Sequence, residues 1–247
     1  MEVSLWIVAG SALLTAVATG LGALPFLAVR HVEPRLLGAS NAAASGLMLA
    51  ACYGLIVEGT SLGVLPTVAG LLIGLVAIVL AKAALSRGGE VPVADLDGAG
   101  ASKALVILGV MTAHSFAEGV GVGVSFAGRD GLGTYVTAAI ALHNVPEGLA
   151  IALVLVPRGV PVWKAALWAI FTSLPQPIMA VPAYVFVESV APFLPVGLGL
   201  AAGAMMWMVF SELFPEALDR VDKSVAAAIV TASFSLMLAF QLLVLSH

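Results

Sequence analysis

Two stretches of the sequence, AHSFAEGVGVGV (residues 113–124) and LHNVPEGLAIAL (residues 142–153), decide the fold and indicate the chemistry. Each lies within a long apolar segment, and each reads His-x-x-x-Glu-Gly with the three residues in the same register. Ionisable side chains inside an apolar span cost several kcal/mol unless they are paired, hydrated or bound to something. The two motifs therefore indicate a membrane protein with a functional site within the bilayer.

The composition agrees with a protein of the bilayer. Of the 247 residues, 61% are hydrophobic and 10% are charged, whereas soluble domains carry about 25% charged residues. A net charge of -4 without a basic stripe gives no indication of a nucleic-acid partner. The single Cys52 cannot form an internal disulfide. The N-terminal MEVSLWIVAG lacks a basic n-region, so we expect a retained first span rather than a cleaved signal peptide.

The apolar segments predict an all-α membrane protein with eight transmembrane helices in a single transmembrane domain over residues 1–247. A helix that crosses a hydrocarbon core of about 30 Å needs about 20 apolar residues. The predicted spans, numbered one to eight, are 4–30, 36–57, 62–85, 103–127, 132–156, 161–189, 194–217 and 223–246. The longest polar connection, residues 86–102, is expected to be a Gly-rich cytoplasmic loop, and it contains no histidine.

The ten Lys and Arg residues predict the orientation. If the N-terminus lies outside, nine of the ten fall in inner connections, and Arg129 is the exception. The positive-inside rule then places both termini outside the plasma or inner membrane of the cell, with an even number of spans.

The two ends of the chain share a weak internal similarity. TGLGALPFLAV, from Thr19 in span one, resembles TSLPQPIMAV, from Thr172 in span six, and spans two and seven share a Gly-x-Met core. Because three spans make an odd unit, a second copy is inserted upside down. We therefore expect spans 1–3 and 6–8 to be inverted repeats that flank spans 4–5.

The four ionisable residues of the motifs suit a divalent cation. His114 and Glu118 are four residues apart, as are His143 and Glu147, so each imidazole lies over its own carboxylate on one helical face. Both histidines lie about 16 Å from the start of their spans, near the middle of the bilayer. Two neutral His and two ionised Glu balance one divalent cation. The alternative is that these residues pair with one another only to hold the helices together.

The backbone around the motifs has two features of its own. Pro146 deletes one helical hydrogen bond and frees the carbonyl of Leu142, so we expect local unwinding at the site. The run GVGVGV after Glu118, together with Gly148 after Glu147, lets neighbouring helices approach closely behind the motifs.

Four further residues are weaker metal-site candidates. Met48, midway in span two, offers a soft thioether, although a single Met in a span is more often packing. Ser115 and Asn144 each follow a motif histidine and can support the ligands or join them. Gln176 lies between two prolines that break span six, where it can line a path through the membrane.

Three acids lie near the ends of spans. Glu58 falls at the outer end of span two, and Glu212 and Glu216 fall near the inner end of span seven. Solvation at the membrane interface explains all three, and collection of a cation at entry and exit explains them equally well.

The motifs HSFAEG (114–119) and HNVPEG (143–148) resemble those of the ZIP (Zrt/Irt-like) metal transporters, in particular the bacterial and GufA-like branch. The resemblance covers nearly the whole chain. It implies a binuclear site in which the two His and two Glu of the motifs form the primary position with Met48, and the glutamates bridge to a second. It also implies an elevator-like or rocking motion.

The second position departs from the fullest family pattern. Ser115 stands where the fourth-span motif often has Asn, and Asn144 and Gln176 stand where some members have carboxylates. Fewer charges weaken a second metal, so we expect one well-formed site.

We expect the protein to carry zinc into the cytoplasm, with Fe²⁺, Mn²⁺ and Cd²⁺ as other candidate substrates, and to be a transporter and not an enzyme, with no catalytic cofactor. Its partners are then the metal ion and the lipid bilayer, and a homodimer is the candidate assembly. A proton-coupled carrier of another substrate is one alternative, since His and Glu can relay protons. An intramembrane metalloenzyme is another, but its His-Glu-x-x-His motif does not occur in the sequence.

Overall fold

The computed structural model describes residues 4–28, 33–87, 98–127 and 132–245, and the regular structure in these ranges is helical throughout. The α-helices are α1 (Leu5–Leu21), α2 (Pro25–Ala28), α3 (Pro34–Leu62), α4 (Val64–Arg87), α5 (Gly98–Ala127), α6 (Leu132–Leu155), α7 (Val162–Ser173), α8 (Pro175–Val185), α9 (Val187–Val190), α10 (Leu194–Met208), α11 (Phe214–Leu218) and α12 (Lys223–Leu245). Two 3₁₀ turns, Val156–Arg158 and Ala191–Phe193, and one π-helical segment, Val209–Leu213, complete the described chain.

Eight of these helices or helix pairs are long and apolar enough to cross a membrane. They are Leu5–Ala28, Pro34–Leu62, Val64–Ala83, Ile107–Ala127, Val136–Arg158, Val162–Val185, Ala191–Leu218 and Lys223–Leu243, each with 20 to 29 residues. At about 1.5 Å per residue even the shortest reaches about 30 Å, the thickness of a hydrocarbon core. The prediction of an all-α protein with eight long apolar helices is confirmed for the described residues.

The two motif-bearing spans lie at the centre of the bundle. Spans four and five are 61% and 62% buried, whereas spans three and eight are 22% and 11% buried and lie at the periphery. Helix α5 packs against α6 and α8, and α6 packs in turn against α1. On the other side, α10 packs against α3 and α4, and α12 covers α3. Ligands carried by α5 and α6 are therefore enclosed by protein.

Two spans are broken where the sequence places small residues and prolines. Span one turns between α1 and α2, just before Pro25, and span six turns at Leu174, just before Pro175. A proline cannot donate the hydrogen bond that would continue the preceding helix, but it fits the first position of a new one. The break in span six follows the expectation from its two prolines.

Three local expectations need correction or limits. The unwinding expected at Pro146 is wrong, because α6 continues through that residue; a proline removes a single bond from the ladder, and the bonds around it hold the helix. The helix that carries span four begins before the predicted start of the span, at Gly98, whereas its segment that is apolar enough to cross a membrane is Ile107–Ala127. Most of the predicted loop, residues 88–97, lies outside the described residues.

The glycine of each motif lies against a broken span. A Cβ atom on Gly119 would overlap the main-chain oxygen of Gln176 in span six, and one on Gly148 would overlap the main-chain oxygen of Thr19 in span one. Both contacts require the absence of a side chain, because the helices could not otherwise approach so closely. The expectation that these glycines allow close helix packing is confirmed at these two positions.

Candidate metal site

Three ionisable residues of the motifs meet inside the bundle. One ligand atom from each of His114, Glu118 and Glu147 lies within 4.8 Å of the other two. His114 Nε2 is 3.3 Å from Glu118 Oε1 and 2.9 Å from Glu147 Oε1. All three side chains are buried, and none is more than 2% exposed. The group is therefore enclosed by protein on every side.

The helices account for this meeting. His114 and Glu118 lie on successive turns of α5, which puts them on one face, and Glu147 reaches them from the adjacent α6. Tetrahedral zinc with bonds of about 2.0–2.2 Å separates its ligand atoms by about 3.3–3.6 Å. The observed separations of 2.9 and 3.3 Å are close to that range, so small side-chain movements would admit the ion.

The charge of the group matches a divalent cation. Two ionised carboxylates with a neutral imidazole carry a charge of minus two, and a low-dielectric interior makes an unbalanced charge of that size costly. A divalent cation would neutralise it, and an imidazole with two carboxylates is a donor set that zinc accepts.

The remaining motif histidine lies on the same helix as Glu147. His143 is part of α6, one turn before Glu147, but its side chain lies outside the described residues. Its predicted role as a ligand stays a prediction.

Met48 is wholly buried on α3. It belongs to the hydrophobic cluster that also contains Met111 and Ile151, each about one turn from a residue of the metal group. Its role as a ligand likewise stays a prediction.

Gln176 lies beside the metal group and not in it. Its Nε2 donates to Glu118 Oε2 at 2.5 Å, and its Oε1 accepts from Thr15 Oγ1 at 2.5 Å and from Asn144 Nδ2 at 3.1 Å. Asn144 Nδ2 also donates to the main-chain oxygen of Thr15 at 2.8 Å. All these side chains are fully buried. A hydrogen-bonded network of Thr15, Asn144 and Gln176 thus supports one oxygen of Glu118.

The role of Thr15 was missed from sequence. A threonine in a span usually bonds to its own helix, and the oxygen of Ala12 lies 2.7 Å from the Thr15 hydroxyl, whose single proton it shares with Gln176 Oε1. Its place one turn before Thr19, the first residue of the stretch that resembles span six, was the available signal.

Two buried oxygens near the group have no hydrogen-bond partner among the described residues. They are Ser115 Oγ and Asn144 Oδ1. Each belongs to a side chain that is fully buried and follows a motif histidine. Buried oxygens of this kind are normally satisfied, so they are available to a water molecule or a cation.

The acids at the span ends have different surroundings. Glu58 is exposed. Glu212, on the π-helical segment, forms a 2.6 Å ion pair with Lys82, and Glu216 forms a 2.8 Å ion pair with Arg220. Glu212 and Glu216 are thus held by basic side chains.

The chain is similar to a family of zinc transporters and to several proteins of that family. The family model described as ZIP Zinc transporter matches residues 91–244, more than half of the chain. A putative zinc transporter of Arabidopsis thaliana is 47% identical over 239 residues, which cover 96% of this chain and 38% of the plant protein. The zinc transporter GufA of Myxococcus xanthus is 31% identical over 221 residues, covering 83% of this chain and 86% of GufA.

A third relative matches a shorter part of the chain. The zinc transporter ZIPB of Bordetella bronchiseptica is 34% identical over 126 residues, or 51% of this chain and 41% of ZIPB. The chain thus spans well under half of the plant protein and nearly all of GufA. The resemblance seen in the motifs is confirmed, and identity is higher to the plant protein than to GufA.

This family consists of zinc transporters, which removes the support for an intramembrane metalloenzyme. In the described residues, the buried group of one imidazole and two carboxylates lies within a bundle of eight helices long enough to cross a membrane. The chain belongs to the ZIP zinc transporter family.

Proposed function

We propose that the protein carries Zn²⁺ through the membrane by way of the group formed by His114, Glu118 and Glu147. The observation that carries the proposal is the burial of two carboxylates with one imidazole at the centre of a membrane bundle. Pairing with one imidazole leaves excess negative charge on the two carboxylates, and a bound cation would neutralise it. His143, one turn before Glu147, supplies a fourth ligand in this proposal, and Met48 a fifth.

Zinc flux into proteoliposomes is the deciding experiment. Wild-type protein should load the vesicles with ⁶⁵Zn, whereas Glu147→Gln protein should show the flux of empty vesicles. Phe116→Leu, a change on the neighbouring helix α5 at a side chain that is 45% exposed, is the control and should retain uptake. Uptake by Glu147→Gln equal to that of the control would contradict the proposal.

The substrate range is open to the same assay. Nitrogen and oxygen ligands suit zinc but also bind Fe²⁺, Mn²⁺ and Cd²⁺, so these ions should compete with ⁶⁵Zn. A proton-coupled carrier of another substrate remains the second candidate, because His114 lies within hydrogen-bond distance of Glu147 and such a pair can hold a proton. Under that alternative a chelator leaves transport of the true substrate intact.

We also propose that metal moves inward, across a plasma or inner membrane, with both termini outside. The distribution of Lys and Arg supports this orientation. In a Cys52→Ser background, a cysteine at Ser61 should react with an impermeant maleimide from outside. A cysteine at Lys223 should react only after the membrane is opened. Both positions are exposed in the structure, so the reversed pattern of labelling would overturn the orientation.

The inverted-repeat relation is part of the proposal as well. Two observations support it. Spans one and six are both broken. Gly119 of span four lies against span six, and in the same way Gly148 of span five lies against span one. A twofold pseudo-symmetry within the membrane plane would produce such matched contacts. It would also pair the two units that flank spans four and five. A metal-bound structure in which the units do not superpose would reject it.

A homodimer remains our candidate assembly. Helix α4 presents exposed apolar side chains along one face, from Leu65 through Leu72 and Val76 to Leu80, that either lipid or a second copy could cover. Cross-linking of Leu72→Cys protein in the Cys52→Ser background would capture a pair. A monomeric mass by light scattering would reject the dimer.

A further inference from the structure

The buried network beside Glu118 has a single chemically consistent arrangement. Asn144 must turn Nδ2 toward the main-chain oxygen of Thr15, because a carbonyl oxygen only accepts. The Gln176 atom that faces the same Nδ2 must then be the acceptor Oε1. This leaves Gln176 Nε2 pointing at Glu118, where an ionised carboxylate also only accepts. A flipped Gln176 amide would place Nε2 against Asn144 Nδ2, which are both donors, and Oε1 against Glu118 Oε2, which are both acceptors.

This arrangement makes the two oxygens of Glu118 unequal. Oε1 lies 3.3 Å from His114 Nε2, within the group that could hold a metal. Oε2 accepts the hydrogen bond from Gln176 Nε2. A metal ion on Oε2 would lie beside the positive end of the amide dipole, so the hydrogen bond and the ion oppose each other. Glu118 can therefore bind a metal ion through Oε1 while Oε2 stays hydrogen-bonded to Gln176.

The network is also neutral. Thr15, Asn144 and Gln176 contribute hydroxyl and amide groups, and all three side chains are fully buried. Among the side chains that the structure describes, the charge of the metal group comes from Glu118 and Glu147 with the imidazole of His114. That charge balances one divalent cation, and a second ion in a dry interior would be left uncompensated.

We infer that Gln176 is a positioning residue that holds Glu118 in the orientation for a single metal ion and keeps the space next to Glu118 Oε2 free of a second. Thr15 and Asn144 hold Gln176 in place from spans one and five. The inference rests on the proposed function for the identity of the ion. It assigns to Gln176 the role of a hydrogen-bond donor and not that of a ligand.

The test is the number of zinc ions bound to each chain of the purified, detergent-solubilised protein. We expect one equivalent for the wild type by plasma mass spectrometry and calorimetry. Gln176→Glu removes the amide donor and adds a carboxylate, so it should bind two equivalents. Gln176→Leu removes the donor without adding charge; it should still bind one ion, with affinity lower by about 10- to 100-fold, as for loss of other groups that support a ligand.

A further variant separates positioning from a general loss of structure. Thr15→Val keeps the shape of the side chain but removes the hydroxyl that bonds to Gln176, so it should lower zinc affinity about tenfold while the stoichiometry stays at one. Asn144→Asp replaces the donor that fixes Gln176 Oε1 with a carboxylate, so the amide should turn Nε2 toward the new carboxylate and away from Glu118. This variant should also admit a second ion, and it serves if Gln176→Glu does not yield monodisperse protein.

Three results would overturn the inference. They are two zinc ions on the wild type, a single ion on both carboxylate variants, and unchanged zinc affinity in Gln176→Leu. Failure of the proposed function has a different signature, namely one bound zinc ion on the wild type without flux into proteoliposomes. Flux together with two bound ions on the wild type would reject the role of Gln176 and leave transport standing.

Discussion

His114 Nε2 lies 2.9 Å from Glu147 Oε1, and this contact joins helices α5 and α6 through two buried side chains. These two atoms can share a proton, or both can bind the same metal ion. His114 can therefore stay hydrogen-bonded to Glu147 in the absence of the ion. Protons and metal also compete for the same atoms.

We predict that zinc affinity falls as the pH is lowered. The carboxylates and the imidazole bind metal only when deprotonated, so each displaced proton lowers the apparent affinity about tenfold per pH unit below the pKa of its group. Calorimetric titrations with zinc between about pH 7.5 and about pH 5.5 would measure the slope. The sign is unambiguous, since protons oppose binding. Tighter binding at the acidic end would contradict a site built from these residues.

The motif glycines provide a test of packing. We predict that Gly119→Ala and Gly148→Ala destabilise the protein, each by about 1–3 kcal/mol, because the added methyl group would overlap a main-chain oxygen of span six or span one. Gly121→Ala is the matched control, since a Cβ there meets nothing within 4 Å. Thermal unfolding in detergent would separate the three. Equal melting temperatures for Gly119→Ala and Gly121→Ala would show that the helices do not approach as described.

Much of this fold followed from the sequence, for reasons that are local. Span four was predictable because an apolar segment long enough to cross the bilayer has few other stable structures, and because the spacing of His114 and Glu118 places them on one face. The meeting of Glu147 with His114 followed from equal depth in adjacent spans. These inferences need only helix geometry and the thickness of the membrane.

What could not be predicted depends on partners that are distant in sequence. Thr15 and Gln176 are 161 residues apart, and nothing in either segment specifies their hydrogen bond. The ion pair between Lys82 and Glu212 joins α4 to the π-helical segment, whose extra residue per turn has no sequence signature. The unwinding predicted at Pro146 was wrong for a local reason. A proline breaks a helix more often than a helix continues through it, but α6 does continue.

Loss of a single ligand should weaken zinc binding without loss of the fold. We predict that His114→Ala lowers zinc affinity at least about 100-fold, because the two carboxylates of the group then lose the imidazole that binds the ion with them. Glu58→Gln is the control for a change in an ionisable residue of a span outside the metal group, since Glu58 is exposed near the C-terminal end of α3. Size-exclusion profiles should be alike for both. Wild-type affinity in His114→Ala protein would show that the ion binds elsewhere.

Zinc should also stabilise the protein through the same residues. An ion that binds only the folded state adds about 2.7 kcal/mol at a free concentration 100 times its Kd, so the wild-type melting temperature should rise with zinc and return to its initial value after a chelator is added. Glu147→Gln removes a carboxylate from the group while keeping its shape, so its melting temperature should not respond to zinc. Phe116→Leu, which changes a side chain on the outer face of the same bundle, should respond as the wild type does. A zinc response that survives in Glu147→Gln would place the stabilising ion outside the buried group, because a neutral amide cannot replace the charge that the ion needs.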